Sequence, residues 1–321
     1  SYTMPADIFH TNFDNGDTGL IAQVVEKFLA HHYQYEAPRI AELQRYYLGD
    51  NDIHYWRNDK KYLNRADNRV ASGFPKFITN MRVGYMMGKP IKMQWSDDSE
   101  TKPAIVDAIE EFNRANDETY HEKVMKTNLS VTGRAYELMY TEQPTKNEDG
   151  SLNTAKVKMK AVDPLTAFVV YDTSIEAKPL FGVRYYLVDY DDAGTQGYYV
   201  DVYTATTIYH YYAGENPTNA DMKLVGTDNS GFGVEPLTEY ANNEDRTGDW
   251  ESKLDEIDAY DKALSEMANS EEDFANAKFV INGDIDADME AIMGPDGKPL
   301  LDDDGNPMMV PKIDAKDPYL F

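Results

Sequence analysis

The stretch from Asp249 to Ala275, DWESKLDEIDAYDKALSEMANSEEDFA, decides the fold. Apolar side chains recur in it at gaps of three, four and seven residues, which is the spacing of one stripe on a helix. They are Trp250, Leu254, Ile257, Leu264, Met267, Ala268 and Phe274. The stretch contains neither Gly nor Pro. It therefore predicts a single helix about 40 Å long at ~1.5 Å per residue.

This predicted helix is strongly acidic. It carries ten acids against two bases, Lys253 and Lys262, so its net charge is −8. An isolated helix with this charge would repel itself. We therefore expect the apolar stripe to pack against a neighbour, while the acidic faces meet water or something that the protein must not bind tightly. An ordinary solvated amphipathic helix is the alternative.

The composition of the chain restricts the classes of protein to which it can belong. The chain has 321 residues, 41% of them apolar, which is enough to build a core. It contains no cysteine, which excludes disulfides and thiolate metal sites and fits a reducing compartment. No run of ~18 apolar residues occurs, and SYTMPADIF at the start lacks the pattern of a signal peptide. We expect neither a membrane span nor a leader.

Charge is unevenly distributed along the chain. Residues 57–134 hold 14 bases and 11 acids, whereas residues 135–321 hold 14 bases and 38 acids. Tight binding to nucleic acid depends on Lys and Arg at the phosphates, so this balance argues against a protein that grips DNA. It leaves open a surface that DNA passes without sticking.

The first hundred residues predict mainly helices. Residues 19–48 predict two, with Pro38 just inside the second. The adjacent His31 and His32 point about 100° apart on a helix, which favours surface residues over a metal site. Bases and aromatics alternate in residues 53–95, a mixture that also suits nucleic acid. Burial of one helix face is favoured there, with a short strand following at residues 91–95. That face comprises Phe74, Phe77, Ile78, Met81 and Tyr85.

The middle of the chain predicts two further helices in residues 102–129 and then a β-meander. A strand at residues 130–140 is followed by a tight turn at Asn147 to Gly150. The other strands are expected at residues 155–163, 167–171, 181–189, 196–203 and 207–213. Their many tyrosines suit a sugar-binding platform, but cross-strand pairing in a sheet predicts the same composition and is favoured.

The part after the helix predicts a small lobe of turns. A short strand is expected at residues 278–282, and GPDGKPLL at 294 and DDDGNPMM at 302 are typical of hairpin turns. Asp302 to Gly305 lacks the alternating ligands of a calcium loop. The sequence contains no phosphate-binding, nucleophile-elbow or zinc-protease motif. We therefore predict no catalytic, metal or cofactor residue and no enzyme.

Four motifs in order resemble the portal proteins of tailed bacteriophages, of the type found in the Bacillus phage SPP1. The first is NRADNRVASGFPKFITNMRVGYMMGKPI at residues 64–91, whose family-motif residues are Asn80, Gly84, Tyr85, Gly88 and Pro90. The second is Gly133 to Glu137. The third joins Asp163 and Pro164 to Val169 to Asp172. The fourth is the helix itself, with Ile257 to Asp261, Ser265, Asn269 and Phe274.

The resemblance implies an α+β portal fold. Residues 1–245 would form an α/β wing domain, residues 246–275 a stem helix, and residues 276–321 part of a small clip lobe. Copies of the chain would form a ring, usually a dodecamer, at one vertex of the capsid. Family members continue through a second stem helix, a tunnel loop and a crown, none of which follows Phe321, so the resemblance implies an incomplete or truncated chain.

The resemblance also assigns roles on the helix. Trp250, Leu254, Ile257, Leu264 and Phe274 would pack the stem and the oligomer, and Glu251, Asp255, Asp258 and Glu266 are candidates for the channel side. A negative wall repels phosphate, so double-stranded DNA would slide through without sequence specificity.

Implied partners are the terminase large subunit, a head-completion adaptor, and the major capsid and scaffolding proteins. The implied location is the portal vertex of the virion, after assembly in the host cytoplasm. Two other classes stay open: an Mg-dependent nuclease or hydrolase that uses acid clusters, and a carbohydrate-binding β-protein built on the tyrosine-rich meander.

Overall fold

The computed structural model describes residues 8–11, 18–57, 65–95, 102–189, 194, 196–276 and 289–312. The chain divides into two compact units, Ser1–Asn269 and Ser270–Phe321. Helices and sheets both contribute, in agreement with the expected α+β class. Among the described residues, no helix combines the length and the apolar character needed to cross a bilayer.

The helices follow the predicted order along the chain. Residues 32–36 form a π-helical turn between the first two, so these are joined without a break rather than separated. The long acidic helix is preceded by a 3-10 turn at Glu251–Lys253 and starts five residues later than predicted. The helices are α1 Thr18–His31, α2 Ala37–Tyr47, α3 Phe74–Met87, α4 Ala104–Ala115, α5 Glu118–Thr132 and α6 Leu254–Ala275.

The strands form three sheets. In chain order they are β1 Phe9–His10, β2 Arg134–Thr141, β3 Val157–Val162, β4 Ala167–Tyr171, β5 Pro179–Asp189, β6 Gln196–Tyr203, β7 Thr207–Gly214, β8 Lys223–Asn229, β9 Leu237–Ala241, β10 Met289–Ala291 and β11 Met309–Pro311. The largest sheet has the order β1-β4-β5-β6-β7-β8, the second the order β3-β2-β9, and the third pairs β10 with β11. The expected meander is therefore present, except that β3 leaves it and pairs with β2.

Cross-strand pairing accounts for the tyrosines of the large sheet. Tyr199 lies opposite both Tyr186 and Tyr212, with ring centroids 6.1 and 5.3 Å apart. Alternate residues point to the other face, where they form a core with α1. That core includes Ile21, Val25, Leu29, Phe168, Phe181, Val183, Val200 and Val202. The tyrosine-rich composition is thus the composition of a packed sheet.

Two details of the helical region differ from the prediction. Residues 91–95 form no strand. The α3 side chains Phe74, Phe77, Met81 and Tyr85 are exposed, and the opposite face, with Pro75 and Thr79, is buried instead. Of the predicted face, only Ile78 is half-buried, packed against the cluster that contains Trp250 and Leu254. The prediction was wrong for the other four residues, because α3 turns Pro75, Ile78 and Thr79 towards the rest of the unit. The strand predicted at residues 278–282 lies outside the described residues.

The second unit contains three short chain segments that pair in a closed cycle. Ile292 N donates to Met308 O, Met308 N to Leu300 O, and Leu300 N to Ile292 O, at 2.8 to 2.9 Å. These residues are eight apart, because the two predicted turns repeat the same length. Gly297 and Gly305 have φ angles of +75° and +83°, which tight turns require and which side chains disfavour. The two turns are confirmed.

His32 is buried, contrary to the prediction of a surface histidine. Its Nδ1 lies 2.8 Å from the Tyr185 hydroxyl, at the junction of α1 and the large sheet. Burial, with the positive charge of Arg134 nearby, lowers the pKa of His32 to about 3. The imidazole is therefore neutral in the folded protein at every pH above about 4.

This pKa shift predicts a loss of stability in mild acid. The unfolded imidazole binds a proton near its ordinary pKa of 6.5. Folding is therefore opposed progressively as the pH falls from 6.5 towards 3. Between pH 7.5 and 5.5 the wild-type protein should lose about 1.4 kcal/mol more than the His32→Gln variant. Urea unfolding at the two pH values measures this difference. Equal losses in the two proteins would contradict a buried neutral His32.

Candidate functional site at the base and exposed faces of the long helix

The base of α6 is anchored by Trp250, whose side chain is fully buried. Its indole Nε1 donates to Thr79 Oγ1 on α3 at 3.0 Å, and Thr79 Oγ1 lies 2.8 Å from Ser130 Oγ on α5. Leu254 and Ile257 continue this buried cluster. Its other members are Leu43, Tyr46 and Val131. The indole thus connects the beginning of the helix to two neighbouring helices.

Three of the predicted stem-packing residues are therefore used inside their own chain. We expected Trp250, Leu254 and Ile257 to pack the stem against other helices of a ring. In the structure all three are buried within the first unit, so a neighbouring subunit cannot reach them. This corrects the expectation, and the reason is that α2, α3 and α5 already cover this end of the helix.

Glu251 forms a buried ion pair with Arg39 of α2. Arg39 Nε donates to Glu251 Oε1 at 2.7 Å, and Nη2 donates to Oε2 at 2.6 Å, in the two-pronged geometry that guanidinium and carboxylate prefer. The backbone N–H of Gly248 donates to the same carboxylate at 2.9 Å. Both side chains are more than 90% buried. Glu251 is therefore not one of the acids on the exposed faces, which corrects its assignment to the channel side.

A row of polar side chains continues the buried face of α6. Asp261, Ser265 and Asn269 recur every four residues and are buried. Each accepts a backbone N–H from the extended segment that precedes α3: Asp261 from Ser72 at 2.7 Å, Ser265 from Val70 at 2.9 Å, and Asn269 from Asn68 at 2.5 Å. Asp261 also accepts from Asn51 Nδ2 at 2.6 Å.

The spacing of Asp261, Ser265 and Asn269 along the helix matches the spacing of alternate N–H groups along the extended segment. Two residues of extended chain advance about 6.6 Å, and four residues of helix advance about 6.0 Å. Alternate N–H groups of the segment therefore meet every fourth residue of the helix. Asn68, Val70 and Ser72 belong to the first of the four family-like motifs, and the helix is the fourth. The two motifs thus bind each other.

Asp255 and Glu266 form an acidic column on the exposed side of α6. Both are exposed, and at about 100° per residue they point within about 20° of each other. Lys262 points in a similar direction between them. Asp258 lies at the edge of this column, is half-buried, and accepts a hydrogen bond from the Tyr46 hydroxyl. The pKa of Tyr46 is raised by burial and by this contact.

An apolar column occupies a different exposed side of α6. Tyr260, Met267 and Phe274 recur every seven residues and are 45%, 61% and 84% exposed, while Leu264 is half-buried beside them. At about 100° per residue, Tyr260 and Met267 point about 100–140° away from the acidic column. The single stripe predicted from the sequence is thus two stripes, one buried at the base and one exposed further along.

The family-motif residues of α3 lie at the surface. Asn80, Gly84, Tyr85, Gly88 and Pro90 are all exposed. Gly88 ends the helix, and a Cβ there would lie 2.4 Å from the carbonyl oxygen of Gly84, so only glycine fits. Within the described part of the chain, no comparable steric contact requires the particular residue at Asn80, Gly84, Tyr85 or Pro90.

The second motif supports the approach to α6. Gly133 has a φ of +83°, and a Cβ on it would lie 2.1 Å from the backbone oxygen of Arg246. Its own carbonyl oxygen accepts from Asn242 N at 2.9 Å. Glycine is therefore required where the turn after α5 meets the segment that leads into the long helix.

Sequence reasoning missed two buried charged residues. Arg39 gave no signal, because a single arginine in an amphipathic helix is typical of a surface. Glu239 on β9 accepts from the Tyr136 hydroxyl at 2.8 Å and from Arg246 Nε at 2.8 Å, and lies 3.5 Å from Arg134. The closest contacts of Arg39, those with Glu251, and the contact of Glu239 with Tyr136 join residues more than 100 positions apart. No local pattern could have predicted these contacts.

The described part of the chain contains no group of three or more His, Cys, Asp or Glu residues that could hold a metal ion. The acids of α6 are spread along the helix rather than brought to one point. The long helix thus has a buried base that anchors it, an exposed acidic column and an exposed apolar column.

The comparisons with known proteins agree with the motifs. The model of the family described as "Phage portal protein, SPP1 Gp6-like" matches residues 26–317. The chain belongs to this phage portal protein family. Among its relatives are the portal protein of Bacillus phage SPP1, 24% identical over 258 residues, and that of Clostridium phage phiCD119, 23% identical over 252 residues. The resemblance inferred from the sequence is confirmed.

The relatives are longer than this chain. The alignments cover 74% and 75% of the chain but 47% and 54% of the respective relatives. The chain thus spans about half the length of these portal proteins.

The buried ion pair makes a sharp prediction about stability. Glu251→Gln breaks the two-pronged pair with Arg39. The buried carboxylate of Glu36, 3.7 Å from Arg39 Nη1, still offsets part of the guanidinium charge, so the variant should lose about 2–3 kcal/mol rather than the full cost of an unpaired buried charge. Asp255→Asn makes the same chemical change on the exposed side and should stay within ~0.5 kcal/mol of the wild type. Chemical denaturation measures both. A Glu251→Gln variant as stable as Asp255→Asn would refute the buried pair.

The polar row predicts a local effect. Asp261→Leu leaves the Ser72 N–H without an acceptor, so exchange of the Ser72 amide with solvent deuterium should accelerate at least about tenfold, whereas the Val70 amide, whose acceptor is Ser265, should change less. Asp255→Leu, which places the same side chain on the exposed side of α6, should leave these amides protected. If the two variants gave the same exchange at residues 70 and 72, the extended segment would not depend on the row.

Proposed function

We propose that this chain is a structural subunit of a phage portal: a ring at one vertex of the capsid through which viral DNA is packaged and ejected. Family membership is the observation that carries this proposal. The anchored acidic helix supports it, because a ring needs one rigid element in each subunit to shape its channel. The proposed role is structural and involves no catalysis by this chain.

The proposed division of the chain follows the family resemblance. Residues 1–245 form the wing, residues 246–275 the stem helix, and residues 276–321 part of the clip. The contacts of α6 at its base support a stem, because Trp250 and Glu251 fix the direction of the helix as it begins.

The proposed channel lining is the acidic column. Asp255 and Glu266 face the axis of the ring, with Asp258 at the edge of the column. With three carboxylates to one ammonium, that of Lys262, the column is net negative and gives DNA no favourable binding position, so the duplex slides in either direction. Glu251 is excluded from this lining because Arg39 neutralises it within the subunit.

The proposed partners dock on the clip. The terminase large subunit would bind there during packaging and a head-completion adaptor afterwards, while the major capsid and scaffolding proteins would surround the ring. The described part of the second unit exposes several large apolar side chains, which is typical of a docking surface. They are Met289, Met293, Leu300, Leu301, Met308, Met309 and Val310. The proposed location is the portal vertex of the virion.

No specific observation favours either alternative function, the metal-dependent nuclease or hydrolase and the carbohydrate-binding protein. A metal-dependent nuclease needs carboxylates that converge on one ion, whereas the acids of α6 are distributed along 22 residues of helix. A sugar-binding platform needs exposed tyrosine faces. The tyrosines of β5, β6 and β7 instead pair across the sheet.

The proposed channel lining can be tested by charge reversal in the full-length protein. Native mass measurement should first show that the wild type forms a ring. Rings of the Asp255→Lys, Glu266→Lys variant should then bind duplex DNA at least about tenfold more tightly than wild-type rings at low salt. This gain should disappear as salt is raised, because it comes from counterion release.

Glu148→Lys, Glu176→Lys is the matched control. It makes the same change of charge at exposed loop positions of the first unit, and its rings should bind DNA like the wild type. If the control bound DNA as tightly as the helix variant, the acidic column would not be the channel wall.

A further inference from the structure

The exposed face of α3 is an apolar stripe. Phe74, Phe77, Met81 and Tyr85 follow one another at gaps of three and four residues, so they share one side of the helix. Their side chains are 44 to 91% exposed. Burial of α3 against the rest of the unit occurs on another side, through Pro75 and Thr79.

This stripe is continuous with the apolar column of α6. The rings of Phe74 and Tyr260 meet edge-on, with centroids 5.2 Å apart. Met267 extends the surface two helical turns beyond Tyr260. We call these six residues the α3–α6 patch: Phe74, Phe77, Met81, Tyr85, Tyr260 and Met267. A soluble protein seldom leaves so many large apolar side chains adjacent and uncovered, unless they form a contact with a partner.

The α3 part of the patch lies in a basic segment, which favours an acidic partner on that side. Residues 74–95 contain Lys76, Arg82, Lys89 and Lys92 and no acid. The chain as a whole has a net charge of −26, so the remainder carries −30. Another copy of the same chain therefore offers the complementary charge.

DNA fits the patch less well than a protein does. The apolar residues are at the spacing of a helix that packs against protein, and Met81 offers nothing to a phosphate or a base.

The direction of the patch agrees with a neighbour in a ring. On α6, the apolar column points about 100–140° from the acidic column. If the acidic column faces the axis, the patch faces roughly along the circumference, which is where the adjacent subunit stands. A contact between two different surfaces of identical chains is heterologous and can close into a ring.

We propose that the α3–α6 patch is covered by a neighbouring copy of this chain in the assembled ring. This deepens the proposed function and rests on it. The apolar residues fill the centre of the contact, and the lysines beside them meet acids of the neighbour. The exposed motif residue Tyr85 then has a role, as one of the side chains that are buried only on assembly.

Photo-crosslinking in the assembled full-length protein tests this contact. A benzophenone amino acid replaces Phe77 in one protein and Ile175 in a control. Ile175 is fully exposed in the loop between β4 and β5, outside the patch. Illumination should give a ladder of covalent multimers of this chain from position 77 and none from position 175. Peptide mapping of the crosslink identifies the surface of the neighbour.

Crosslinks from position 77 only to another protein or to DNA, or only within one chain, would overturn the proposal. So would equal ladders from both positions. Measuring the native mass of the assembly distinguishes a wrong contact at the α3–α6 patch from a wrong portal assignment. A ring without crosslinks at position 77 overturns the contact alone, whereas the absence of any ring from the full-length protein overturns both.

A charge placed in the patch gives a second test. Phe77→Glu, Tyr85→Glu should shift the full-length protein from rings to folded subunits and raise the concentration needed for assembly at least tenfold. Ile175→Glu should assemble like the wild type. Circular dichroism verifies that each variant is folded. Rings of unchanged stability from the folded double variant would overturn the proposal.

Discussion

The ion pair between Arg39 and Glu251 is the contact on which the placement of the long helix depends. It is buried, two-pronged, and located at the residue where the chain turns into α6. A buried charge without its partner is costly, so the helix cannot leave this position without exposing or stranding one of the two. Trp250 adds the apolar part of the same anchor through Thr79. The direction of α6, and therefore every face it presents, follows from these contacts.

Beyond the anchor, α6 is held by hydrogen bonds rather than by apolar packing. An extended segment offers alternate N–H groups, and Asp261, Ser265 and Asn269 accept them. Because polar residues occupy the inner side, the apolar residues Tyr260 and Met267 remain on the outside. The polar face of α6 therefore contacts its own subunit, while the acidic face and the apolar face are exposed. In the proposed ring, the acidic face would line the channel and the apolar face would contact the adjacent subunit.

Sequence patterns predicted the six helices and most strands of the meander, but they missed β1, β8 and β9 and did not predict which side of each helix is buried. The strands at residues 167–171 and 196–203 were predicted to the residue, because alternation and turn residues are local signals. The burial of His32, the pairing of Glu251 and the exposure of Phe77 depend on which distant element lies opposite. Apolar periodicity shows that a helix has a stripe, but not whether the stripe meets its own chain or another copy. The family was recognisable because its motifs include the residues that join distant segments, such as Gly133.

A density map of the assembled full-length protein at side-chain resolution would show which faces of α6 line the channel and which lie between subunits. We expect a closed ring in which Asp255 and Glu266 face the central channel, while Phe77 and Met267 lie against the adjacent subunit. A ring with α6 turned so that Met267 faces the channel, or an assembly that leaves the α3–α6 patch in solvent, would contradict this arrangement.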